Sequence, residues 1–78
     1  MTIDEAARIL ADMYRKGSAS NEKAVQIHLF GIKYADQIEG MSLPDLAGRA
    51  GIPENYKTEL RKGVNLAKYV QLKSSLVK

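Results

Sequence analysis

Glu54, Asn55, Thr58, Arg61 and Lys62 follow one another at steps of one, three, three and one residues. Wound into a helix they share one arc, because side chains three and four positions apart lie on the same face. A carboxylate, an amide, a hydroxyl, a guanidinium and an ammonium on one arc can exchange hydrogen bonds with a polar surface and neutralise anions. Nothing in the set is an activated nucleophile. The chain has no cysteine and a single histidine, His28, set among apolar residues, so a cysteine or histidine metal site is not expected. His28 reads as a structural, hydrogen-bonded side chain. No phosphate-cradling glycine loop or paired-carboxylate pattern stands out, and neither a catalytic site nor a cofactor is expected.

The elements that must position this arc follow from apolar spacing. Ile3, Ala6, Ala7, Leu10, Met13 and Tyr14 recur at helical intervals after a Thr2/Glu5 capping box, giving a helix over residues 3–16. Gly17 is expected to end it, and Ser20 to cap the next. A second helix over 21–39 carries apolar residues on more than one face, as a central helix packed on several sides does. Gly31 within it predicts a close helix crossing. A strand over 27–32 is the alternative, since short apolar runs fit both states. Ser42, Pro44 and Asp45 open a third helix over 43–50, stopped by Gly51, and Pro53 opens a fourth over 54–67, with Gly63 either ending it or absorbed within it. Its inward side is expected to be Pro53, Tyr56, Leu60 and Val64. Tyr69 to Lys73 alternates apolar and polar residues, so a short strand, or a miniature wing completed by Leu76-Val77, competes with a frayed tail. The expected fold is mainly α: a compact four-helix domain over the whole chain.

Composition narrows the partners. A chain of 78 residues suits one domain, and its apolar runs fall far short of the roughly 20 residues that cross a bilayer. A soluble cytoplasmic protein is expected, with no membrane partner and no evident small-molecule substrate. The formal net charge is +3, unevenly placed: residues 1–42 hold five basic and six acidic side chains, residues 43–78 seven and three. The second half thus carries +4, as a surface facing a polyanion requires, although an ordinary solvated face gives the same count.

The stretch Leu46-Ala47-Gly48-Arg49-Ala50-Gly51-Ile52-Pro53-Glu54-Asn55-Tyr56-Lys57-Thr58-Glu59-Leu60-Arg61-Lys62-Gly63 resembles the helix-turn-helix of the phage-repressor, Cro-type family. Ala47 is small where the second helix crosses, Gly51 permits a left-handed turn, Ile52 fills the angle and Leu60 anchors the helix that follows. Lys57 stands where that family has an apolar residue, and Pro53 replaces the serine or threonine cap. Through Ile27-His28-Leu29-Phe30-Gly31 and Leu60-Arg61-Lys62-Gly63 the whole chain also resembles small bacterial helix-turn-helix-like proteins. The Cro-type resemblance implies a double-stranded DNA-binding module, a small transcriptional regulator or the recognition piece of a larger system. It implies Asn55 on adenine, Arg61 on guanine or phosphate, and Glu54 on cytosine or facing phosphates unfavourably, with Thr58 and Lys62 on the backbone. Arg49, Lys57, Lys68 and Lys73 are further backbone candidates, and a homodimer joined through its first helix or terminal strand would read two half-sites. The competing reading is a protein-interaction module on the same scaffold, with the polar arc merely solvated.

Overall fold

The computed structural model describes residues 1–73. It is mainly helical, with α1 at Ile3–Ser20, α2 at Lys23–Tyr34, α3 at Leu43–Ala50 and α4 at Lys57–Leu66, the last entered through a single 3-10 turn at Glu54–Tyr56. The segment proposed as a strand alternative, 27–32, lies inside α2. No strand forms among the described residues, and the return strand of the suggested wing lies outside them.

The capping box starts α1 as its residue types require: Thr2 N–H donates to Glu5 Oε1 at 3.0 Å, and Glu5 N–H to Thr2 Oγ1 at 3.1 Å. The expected stop at Gly17 is corrected. The helix runs through it to Ser20, and Asn21 takes the left-handed conformation instead, at φ 60°. The Glu22 N–H closes the end by donating to Gly17 O at 2.6 Å. Gly17 is needed for space: a Cβ there would sit 2.7 Å from Glu22 O. Ser20 caps nothing, its hydroxyl donating back to Lys16 O at 3.2 Å.

The second helix is shorter than the expected 21–39. It ends at Tyr34, whose carbonyl accepts from both Gln37 and Ile38 N–H, and turns carry the chain to Gly40 at φ 85°. Those turns fold Ile38 inward, where it is 2% exposed, and reverse the chain, which a straight continuation of α2 could not do. Ser42 then accepts from Asp45 N–H and opens α3.

Four helices bury one core of Leu10, Ile27, Phe30, Ile38, Leu46 and Leu60. α1 packs on α2 and α3, while α4 lies chiefly along α2. The α2/α4 contact is backbone on backbone: a Cβ built on Gly31 would lie 2.7 Å from the Gly63 carbonyl carbon, and one on Gly63 would lie 2.7 Å from His28 O. Gly63 is therefore absorbed within α4, and the crossing expected at Gly31 is present.

Backbone atoms cannot step aside as a flexible side-chain tip can. Gly63→Ala should destabilise the fold by about 1–3 kcal/mol through overpacking. Gly48, in α3 with open space around its Cβ position, gives the opposite expectation, with Gly48→Ala stabilising by about 0.5–1 kcal/mol through helix propensity. Urea unfolding of both variants beside the wild type reads these signs directly.

Candidate nucleic-acid interface

Two features present the α4 face. The turn after α3 is closed twice: Ile52 N–H donates to Ala47 O at 3.3 Å and Gly51 N–H to Gly48 O at 3.1 Å, with Gly51 at φ 75°. This double closure needs a left-handed residue where Gly51 stands, and Ile52 beyond it is 5% exposed. Next, Leu60 and Gly63 are buried while Tyr56 and Val64 pack partly against the core, fixing the rotation of α4. Pro53, expected inward, is exposed, because it precedes the helix in extended conformation at ψ 151°. Pro53 supplies no capping side chain, and the first turn is 3-10 rather than α, with Tyr56 N–H donating to Pro53 O at 3.0 Å.

The rotation leaves Glu54, Asn55, Thr58, Arg61, Lys62 and Asn65 exposed. Their charges are largely spoken for. Glu54 pairs with Lys57 at 2.7 Å, and Lys62 with Glu59 at 3.1 Å. Lys57, with 30% of its side chain exposed, lies partly inward where the resembled motif is apolar. Arg61 has no ion pair among the described residues. The Lys62 side chain is 63% exposed, and a pair so open to water is weak enough for an incoming anion to displace Glu59 from it.

The backbone candidates divide. Arg49 is engaged on two sides, by Asp4 at 2.9 Å and by Asp45 at 3.2 Å, joining α3 to the start of α1. These carboxylates, Asp4 foremost, raise its pKa above the usual guanidinium value. Lys68 and Lys73 lie exposed beyond the end of α4.

Sequence reading did not single out Glu59. Its side chain, 20% exposed, accepts from Lys62 and, at 2.7 Å, from His28 Nε2 on α2. His28 is hydrogen-bonded, as its surroundings suggested. Among the described residues no group of three or more histidine, cysteine or acidic side chains gathers to hold a metal, and no helix is long and apolar enough to cross a membrane.

A family model described as an HTH-like domain matches residues 2–73. The chain belongs to the HTH-like domain family. The match extends the helix-turn-helix assignment from the 18-residue motif over α1 and α2, without selecting the Cro type within it. No curated protein and no solved structure matches this HTH-like domain.

Lys62 first and His28 second hold the Glu59 carboxyl below its ordinary 4.5. A depressed folded-state pKa stabilises the fold at pH above the ordinary value and loses that stabilisation as pH falls through the folded one. Between about pH 6 and about pH 3, the urea midpoint of the wild type should therefore fall further than that of Glu59→Gln. Equal falls in the two proteins would remove Glu59 from the link between α2 and α4.

Proposed function

We propose that this HTH-like domain binds double-stranded DNA by laying α4 in the major groove, as a small cytoplasmic regulator of transcription or the recognition part of a larger system, with no catalytic step of its own. The observation that supports this most is the outward arc of Asn55, Thr58, Arg61 and Lys62 on a helix whose rotation is fixed by buried Leu60 and Gly63. In this reading Asn55, in the first turn, reads a base edge, and Arg61 a guanine or a phosphate. Thr58 and Lys62 take the backbone, with Lys68 and Lys73 extending the cationic path and Lys57 and Arg49 contributing only on leaving their carboxylates. Glu54, at 86% exposure and paired with Lys57, selects against phosphate at its own position or accepts from a cytosine amino group.

A single short helix makes few base contacts, and helix-turn-helix proteins gain site length by pairing across a two-fold axis. In this chain the apolar stripe of α1 is spent on the core, where Ala6, Ala7 and Leu10 are buried. Leu66, Tyr69 and Val70 are 41%, 83% and 47% exposed at the far end of α4, and this patch is the dimer surface we propose. The same patch favours the second reading, in which a protein partner occupies it and α4 touches no DNA.

Fluorescence anisotropy of a labelled duplex at two salt concentrations tests the proposal. Wild-type binding should weaken steeply with salt, and Arg61→Ala combined with Lys62→Ala should lower affinity and flatten the log–log salt slope by up to about 2. Salt-independent wild-type binding, or none at low salt, would falsify the DNA reading. Tyr69→Glu should shift sedimentation from dimer to monomer with the thermal midpoint of the protomer retained, whereas a wild type that is monomeric at high concentration contradicts the dimer.

A further inference from the structure

The tight crossing at Gly31 and Gly63 has an open counterpart beyond it. Past Tyr34 the chain leaves the line of α2, while α4 runs straight on to Leu66. The wedge between them is a groove of about 400 Å³, walled by the 35–42 connection and the first residue of α3 on one side and by α4 and its exit on the other. Ile38, Leu43 and Val64 give it an apolar lining, and Ile38 and Leu43 are core residues. A volume in this range suits a small ligand rather than a peptide helix.

The charges at its rim are sorted by wall. Asp36 and Glu39 belong to the connection; Arg61 and Lys68 belong to α4 and the turn after it. Elsewhere several charges pair, Asp12 with Arg15, Asp45 and Asp4 with Arg49, Glu54 with Lys57, Glu59 with Lys62, while Arg8 and Lys16 are exposed without an ion pair among the described residues. Across this groove, two carboxylates face two cations without an ion pair or a side-chain hydrogen bond among the described residues. A ligand matching both walls carries a cation and an anion on one small apolar body.

We propose that the groove binds a small aliphatic zwitterion of the α-amino-acid class, its ammonium between Asp36 and Glu39, its carboxylate on Arg61 and Lys68, and its side chain over Ile38, Leu43 and Val64. Each end is then a charge-assisted hydrogen bond to an opposite charge, and neither wall is left with a like charge. Arg61 serves this site and, under the DNA reading, the duplex as well, so on that reading the two ligands compete. The site itself does not rest on that reading, and its test contains no DNA.

The full chain, labelled with ¹⁵N, is titrated with L-leucine, N-acetyl-L-leucine and L-leucine methyl ester, which carry both charges, only the anion and only the cation. L-leucine should give saturable shifts confined to amides around the groove, such as Gly40, Met41 and Asn65, with a Kd of about 1 mM, a level at which binding is worth about 4 kcal/mol. Each single-charge analogue should bind at least about fivefold more weakly, and Asp36→Asn with Glu39→Gln, both exposed and outside the core, should leave a dispersed spectrum and abolish the shifts. No saturation by about 20 mM L-leucine overturns the proposal, as does equal binding of the ester or the acetyl analogue, or unchanged binding in the double variant.

Discussion

The approach of α2 and α4 at Gly31 and Gly63 is the constraint from which the remaining geometry follows. With no Cβ on either helix the backbones meet directly, and any added carbon would stand 2.7 Å from a backbone atom of the other helix. Contact this close fixes the rotation of α4 as well as its position. It turns Leu60 to the core, sets Glu59 against His28, and leaves the opposite arc facing outward. α3 adds the second support. Its doubly closed turn, with Ile52 as a plug, delivers the chain to α4 at one angle. Placing a recognition arc on rigid helices rather than on loops is what gives it a defined register against a repeating surface.

Electrostatically, the arc is less basic than its composition. Glu54, in the 3-10 turn, and Glu59, on α4, neutralise Lys57 and Lys62 in pairs, leaving Arg61 as the arc's cation without a carboxylate among the described residues. Under the proposed DNA reading, such a face attracts phosphate modestly and depends on hydrogen bonds from Asn55, Thr58 and Arg61 for discrimination. The surplus of positive charge in the second half is instead carried toward Lys68 and Lys73, past the end of α4. On that same DNA reading, a long-range attraction from Lys68 and Lys73 and a short-range readout from the helix divide the work between them.

Periodicity and caps made the four helices legible, since Thr2/Glu5, Ser42 and Gly51 each act through bonds between residues close in sequence. Gly31 was legible as a crossing because an interior helix glycine needs a reason. Gly17 misled for the same cause: absence of a side chain serves a left-handed turn and a tight contact equally, and here Asn21 took the turn. The end of α2 was overread because Ala35 and Ile38 keep the helical spacing while turns, not helix, carry Ile38 into the core. At the site, which residues face out was legible from the wheel, apart from Pro53. What those residues bond to was not. His28 lies 31 positions from Glu59, and Asp4 lies 45 from Arg49, so only the folded chain shows the first as a strut between helices and the second as a restraint on a candidate DNA contact.

A helix-turn-helix fold constrains where a partner fits and leaves the partner's chemistry to the side chains. The most direct test of the central claim is residue-resolved amide shift mapping of the ¹⁵N-labelled chain during titration with a short DNA duplex. The account predicts perturbations centred on Asn55, Thr58, Arg61 and Lys62, fading toward α1. Perturbations centred on the Leu66, Tyr69 and Val70 end or on the outer face of α1, with the α4 arc silent, would contradict it.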